Sequence, residues 1–232
     1  MSLWLRQFTH TKRFKKRYDV INYFLCTRNF SRFLEIGTSN GRNLERVRCP
    51  HKVGVDPNPR QVRSEWRIHR MTSDTFFEAN NEKFDLVFID GLHTAEQVLR
   101  DIYNSLAVLN PGGVLVLHDC NPQSRYVQLV EPGPLAGQHW NGDVWKAFAF
   151  VRQHESELFC RVFSFDQGVG VIVPKQYDNL PRIDPDLERT AGNYFNQISW
   201  DDLEANRVDW LGLIADRWEL ESNLEQEGFT FS

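Results

Sequence analysis

The stretch FDLVFIDGLHTAEQVLRDIYNSLAVLNPGGVLVLHD, residues 84–119, decides the fold. Its first seven residues are an almost continuous apolar run that stops at Asp90, the mark of a strand buried on both faces. A long helical pattern, TAEQVLRDIYNSLAVL, opens on Thr94. Pro-Gly-Gly then turns the chain into a second apolar run that ends in His118 and Asp119. Strand, helix and strand in succession are a βαβ unit, and such units build parallel sheets covered by helices on both faces. Both strands end in ionisable residues, with His93 just beyond Asp90. Those endings call for a chemical reason.

The same rhythm runs outward in both directions. RFLEIG is a strand and NGRNLERV the helix after it; HKVGVD and RIHRM are further strands, and DTFFEAN is a short helix. Upstream, RYDVINYFLCTRNF carries apolar residues at helical spacing. Downstream, ELFCRVFSFDQGVGVIVP is two strands about a tight Asp-Gln-Gly turn, an antiparallel hairpin. Beyond Pro174 the chain is polar and Pro-interrupted, and a tryptophan-bearing helical pattern then runs from Trp200 to Leu224. The organisation expected is a helical extension over residues 1–29, one α/β domain over 30–175 and a C-terminal helical extension over 176–232. No internal repeat or low-complexity segment interrupts it.

With 232 residues, 41% hydrophobic and 25% charged, the chain has the composition of a globular protein large enough to build a core without staples. A net charge of −4 points away from nucleic acid. The local exception, TKRFKKRYDV with five basic residues from Lys12 to Arg17, reads as a solvated helix face. Cys26, Cys49, Cys120 and Cys160 form neither a disulfide framework nor a thiolate zinc site. No apolar run approaches the roughly 18 residues of a membrane helix. A cytoplasmic protein is expected, with dimerisation through the apolar positions of the N-terminal helix as an option.

In FLEIGTSNG, Glu35, Gly37 and Gly41 lie where the first strand turns into a helix. The spacing is G-x-x-x-G rather than G-x-G-x-x-G, which disfavours a dinucleotide such as NAD. Thr38, Ser39 and Asn40 still leave a turn whose bare amides a ligand can approach. Asp56 closes the second strand in VGVDPNP, where a carboxylate can accept both hydroxyls of a ribose, or serve as a turn residue before Pro57. Ser73 and Asp74 follow the third strand, placed for an adenine edge or for capping a helix.

FLEIGTSNG, VGVDPNP, FDLVFIDGLH and LNPGGVLVLHDCNP resemble, in order, the successive motifs of class I S-adenosylmethionine-dependent methyltransferases. The likeness is greatest to a small bacterial group with an IDGLH segment, related to catechol-type O-methyltransferases. It covers about residues 30–175. It implies a Rossmann-like, doubly wound sheet of about seven strands, mostly parallel, with the last strand antiparallel. It also implies the methionine end of the cofactor at Gly37, Thr38, Ser39 and Gly41 with Glu35 close by, the ribose on Asp56, and the adenine at Ser73 or Asp74.

Ligands of open α/β sheets bind beyond the carboxyl ends of the strands. Asp90, His93, His118 and Asp119 converge there, and burying such groups without a task is costly. Methyl transfer to a hydroxyl requires alignment and loss of a proton. Catechol-type relatives hold a divalent cation with an acid after strand four and a pair after strand five, and keep a base three residues beyond the first ligand. By that resemblance Asp90, His118 and Asp119 are the metal ligands and His93 the base, with Asp90 also near the cofactor. His118 supplies nitrogen where oxygen is usual, which disfavours magnesium and admits manganese, iron or zinc, or no metal.

A long Pro- and Gly-rich segment from Cys120 to Asp143 has the length of a lid or binding loop. Arg125, Tyr126, His139 and Trp140 could grip a polar substrate, Asp143 could cap the helix that follows, and Trp140 and Trp145 could line a pocket or pack the lid. O-methyl transfer to a small hydroxylated molecule is the leading expectation. N-methylation, a metal-dependent hydroxylase on the same fold and a non-catalytic nucleotide-binding module are the alternatives.

Overall fold

The alternation of strands and helices closes into one eight-stranded sheet. The computed structural model describes residues 13–134 and 139–229. In chain order the elements are α1 (Arg17–Thr27), β1 (Arg32–Ile36), α2 (Arg42–Arg46), β2 (His51–Val55), β3 (Arg67–His69), α3 (Ser73–Ala79), β4 (Phe84–Ile89), α4 (Ala95–Ala107), β5 (Leu109–Leu117), α5 (Val144–His154), β6 (Leu158–Phe163), β7 (Val169–Pro174), α6 (Pro185–Gln197), α7 (Trp200–Leu211), β8 (Leu213–Ile214) and α8 (Arg217–Gln226). The strand order is β3-β2-β1-β4-β5-β7-β6-β8. Among the described residues only β7 runs against its neighbours, pairing antiparallel with β5 and β6.

Successive strand residues feed opposite cores, as the two-residue repeat of a strand requires. Leu34, Val87, Ile89, Leu115 and Leu117 face the helical layer that contains α4, α5, α6 and α7. Phe33, Leu86, Phe88, Val114 and Val116 face α1 and α8 on the other side. The C-terminal helices are part of these layers: Phe195, Leu203 and Leu211 are buried in the first core, Leu220 and Leu224 in the second. The sheet is doubly wound, as expected.

Two details differ from the sequence reading. The Pro-Gly-Gly segment does not precede the fifth strand but lies inside it: Leu109 pairs with Phe84, and the register shifts before Val114 pairs with Leu86. An irregular start accommodates a proline and two glycines that a regular ladder would exclude. The eighth strand interrupts the C-terminal helical pattern. Gly212, left-handed at φ +57°, ends α7, and Leu213–Ile214 adds itself parallel to β6, covering an otherwise open edge.

A candidate active site at the carboxyl ends of the strands

β1 lies between β2 and β4, so the direction of winding reverses beside it, and a crevice opens beyond the strand ends. Gly37 makes that seam close. Its φ is +85°, and a Cβ there would stand 2.0 Å from the Asp90 carbonyl oxygen. The crevice is a cavity of about 960 Å³, at the upper end of small-molecule sites.

The predicted cofactor residues divide into two sets. Gly37, Ser39, Asp56, Ser73 and Asp74 line the cavity, as do Asp90, His93, His118 and Asp119. Glu35, Thr38 and Gly41 do not. Thr38 is buried with its hydroxyl over Gly54, and Gly41 packs against the Trp66 ring. Glu35 is 1% exposed and accepts a hydrogen bond from Asn43 Nδ2 at 2.8 Å. Burial pushes its carboxyl up to about 8, over the opposing pull of Asn43. These three support the loop from below. Asp56 is a turn residue and also faces the cavity: Ser39 N and Asn58 N donate to its two oxygens, each at 2.7 Å. Each oxygen keeps a second lone pair for a ligand. Thr72, not Ser73 or Asp74, caps α3, which leaves Ser73 and Asp74 to the cavity and to Gln97 Nε2, at 3.2 and 3.1 Å.

At the other end the four ionisable residues meet. His93 Nε2 lies 3.5 Å from Asp90 Oδ1 and 3.3 Å from Asp119 Oδ2. His118 Nδ1 lies 3.4 Å from Asp90 Oδ1 and 3.0 Å from Asp119 Oδ2. Each outward-facing atom is anchored. His93 Nδ1 reaches the Trp140 carbonyl at 2.9 Å and His118 Nε2 the Asp166 carbonyl at 2.7 Å; a carbonyl only accepts, so both nitrogens carry hydrogen. Asn141 Nδ2 donates to Asp119 Oδ1 at 2.9 Å, and Arg17 Nη1 to Asp90 Oδ2 at 2.6 Å. Asp119 is held left-handed at φ +60°, a conformation that aspartate tolerates better than most residues.

Electrostatics couple the cluster. Burial raises the Asp90 carboxyl, but His118, His93 and Arg17 outweigh it and hold it well below the usual range. Burial lowers His118, yet Asp90 and Asp119 lift it to about 9. His93 is raised too, its desolvation overcome by the same two carboxylates.

Side chains of the basic run and of the lid divide between the cavity, the core and the surface. The basic run is not simply solvated: Lys16 Nζ and Arg17 Nε bind the two oxygens of Asp166 at 2.8 and 3.1 Å, and both residues line the cavity. Lys12 lies outside the described residues. Of the proposed grips only His139 and Trp140 line the cavity. Arg125 instead pairs with Asp201, and Tyr126 is exposed. Trp145 is fully buried and stacks on Trp210, so it packs the lid side onto the core. Residues 135–138 of the lid lie outside the described residues. Asp143 stands at the start of α5 without capping it; its carboxylate accepts from Ala95 N, at the head of α4, at 2.7 Å. A buried carboxylate takes whichever unpaired amide it can reach.

Arg17, Gln97, Asn141, Asp166 and Gln167 are the site residues that sequence reading missed. Asp166 and Gln167 had a signal, the tight turn at the tip of the hairpin, where both take positive φ.

Residues 27–120 match the family model of a methyltransferase domain. The match takes in β1 through β5 and the whole Gly37–Asp119 edge of the cavity. Among solved structures, an SAH-bound methyltransferase from Podospora anserina is 14% identical with a TM-score of 0.53, covering 75% of this chain and 85% of that one. An O-methyltransferase from Bacillus cereus, in complex with SAH, is 14% identical with a TM-score of 0.50, covering 68% of this chain and 80% of that one. No curated protein matches the sequence. The fold is the Rossmann-like methyltransferase fold. Among the described residues no helix is long and apolar enough to cross a membrane.

Proposed function

We propose that this chain transfers a methyl group from S-adenosylmethionine to the hydroxyl of a small molecule. The observation that carries the proposal is one cavity with two chemically distinct ends: Ser73, Asp74 and Asp56 beyond β3 and β2, and Asp90, His93, His118 and Asp119 beyond β4 and β5. The first end suits a nucleoside, with Asp56 for the ribose hydroxyls and Ser73 or Asp74 for the base edge. The Gly37–Ser39 turn between them offers backbone to the methionine portion. Bound S-adenosylmethionine supplies a methyl group already activated on a sulfonium. The protein's task is then to align the acceptor and remove its proton.

His93 Nε2 is the accessible basic atom for that step. As the acceptor oxygen forms its bond to the methyl carbon and the carbon–sulfur bond breaks, the hydroxyl proton passes to His93. Asp90 and Asp119 stabilise the resulting imidazolium, and the Trp140 carbonyl fixes the ring's other nitrogen. Trp140, whose ring lies 4.9 Å from that of His93, offers a flat wall to the acceptor. A catalytic machinery built around acid–base groups favours a hydroxyl over an amine, which needs less help to lose its proton.

Titrating the full chain with S-adenosylmethionine by calorimetry tests the cofactor. One saturable site is expected, weakened by about 10–100-fold in Asp56→Ala from the loss of charge-assisted hydrogen bonds. Absence of binding to the wild type, or unchanged affinity in the variant, refutes the placement.

A further inference from the structure

The net charge of −4 conceals a segregation along the chain. Residues 13–72 hold fourteen lysines and arginines against five aspartates and glutamates, whereas residues 73–232 hold eleven against twenty-six. Such an asymmetry within one chain points to an anionic partner for the basic part. The five acids of that part do little to offset it at the surface. Asp19 and Glu35 are buried, and Asp56 is engaged by two backbone amides. The remaining two, Glu45 and Glu65, both lie against a single arginine, Arg63. Arg13, Lys15, Arg42, Arg46 and Arg60 are exposed and have no carboxylate partner among the described residues.

These cations come from three segments that pack into one surface. The Arg46 guanidinium lies 5.2 Å from the centre of the Tyr18 ring, joining α2 to the first turn of α1, just after Lys15. Arg42 stands one helical turn before Arg46, on the same face of α2. Glu45 of α2 pairs with Arg63 of the β2–β3 connection. The Arg63 and Lys52 cations lie 5.5 and 5.7 Å from the ring of Trp66, which packs against Gly41 beside Arg42. Arg60 N donates to the Ser39 carbonyl at 2.6 Å, so the surface reaches the rim of the cavity. Among the described residues the exposed large apolar side chains are Leu92, Tyr126, Leu129, Val130, Val208 and Trp218, none of them from these segments. A protein interface needs an apolar core, and a bilayer surface needs apolar groups that insert. Nucleic-acid interfaces are instead polar and strongly positive. Four of the five cations are arginines, whose planar fork matches a phosphate. We infer that the face made by Arg13, Lys15, Arg42, Arg46 and Arg60 docks a nucleic acid through its phosphodiester backbone. The docking does not depend on the methyl-transfer reading.

The test titrates the full chain into a fluorescein-labelled RNA strand of about 20 nucleotides, followed by fluorescence anisotropy from about 0.05 to 0.3 M salt. Saturable binding is expected. The logarithm of affinity should fall against that of salt with a slope of about −3.5, the value for five phosphate contacts on a single strand. A DNA strand of the same sequence should bind comparably, because backbone contacts carry no base information. Arg42→Gln with Arg46→Gln should flatten the slope to about −2 and weaken binding by about 10–30-fold near 0.1 M salt, with S-adenosylmethionine affinity unchanged. Arg13→Gln with Lys15→Gln carries the same expectation from a separate segment, should the first pair disturb α2. Arg189→Gln, at an exposed position of α6, should leave binding as it is. No saturable binding by the wild type overturns the inference, as does binding that both pairs leave intact. Equal binding of polyglutamate or of phosphatidylserine vesicles also overturns it, in favour of an acidic protein or a membrane. A chain that binds RNA through these residues but not S-adenosylmethionine upholds the surface and sinks the methyl-transfer reading instead.

Discussion

Replacing Glu35 with glutamine should remove a pH-dependent loss of stability that the wild-type chain carries between about pH 4.5 and 8. The carboxyl sits under the β1 loop at 1% exposure, and burial raises it from 4.5 to about 8 in the folded protein. Below the unfolded value both states hold the proton, and the side chain is a neutral hydrogen-bonding group. As pH rises through the window, the unfolded chain releases its proton while the folded one keeps it, so stability falls. At about 1.4 kcal/mol per pH unit, the interval amounts to roughly 4–5 kcal/mol by pH 8 and above, against a total of about 5–15 kcal/mol for an ordinary domain. Glutamine has nearly the same shape, can keep the Asn43 hydrogen bond and has no proton to lose. Urea unfolding of both proteins, followed by tryptophan fluorescence at pH 5, 7 and 9, isolates the effect, because the other titrating groups cancel in the difference. The variant should match the wild type within about 1 kcal/mol at pH 5 and exceed it increasingly at pH 7 and 9. A difference that stays flat across that range would show that Glu35 does not hold a proton in the fold, and the reasoning would fail.

Gly37→Ala should cost more than about 3 kcal/mol, because left-handed strain is joined by a clash with backbone that cannot swing away; thermal melting and the yield of folded protein report it, and a loss below about 1 kcal/mol refutes the close β1–β4 seam. Trp145→Ala should cost about 3–5 kcal/mol through the cavity it leaves, lowering the melting temperature by roughly 6–20 °C; near-neutral behaviour would mean that the tryptophan does not pack the core.

How much of this was legible beforehand depended on how local the signal was. β4, α4 and β5 were readable because apolar runs and helical spacing lie within one stretch, and the ionisable strand ends followed from where the runs stop. β8 was not readable: two residues after Gly212 become a strand only because the β6 edge is there to accept them. The Pro-Gly-Gly segment carried the right residues with the wrong implication, since glycine serves a break within a ladder as readily as a turn before it. Strand order was beyond periodicity altogether, and the resemblance brought only a mostly parallel, doubly wound sheet with its last strand antiparallel; the order itself came with the fold.

The cluster shows the same limit at the level of chemistry. Asp90, His93, His118 and Asp119 could be nominated from sequence, because a parallel sheet gathers its strand ends along one edge. What each can do is decided by atoms that no local pattern connects to them. Trp140 and Asn141 arrive from the lid, Asp166 from the tip of the β6–β7 hairpin, and Arg17 from the first turn of α1. The outward bond of each histidine leaves its other nitrogen pointing inward, and the outward bond of each aspartate commits one oxygen and frees the other. A run of lysines and arginines ahead of an apolar helix is usually solvated, so Arg17 gave no warning. Its guanidinium enters because Asp90 and Asp166, brought together by β4 and the hairpin, create a partly buried negative site that a planar two-sided donor fits. Candidate residues were therefore readable one at a time, whereas the cluster they form exists only once five separate segments have folded around it.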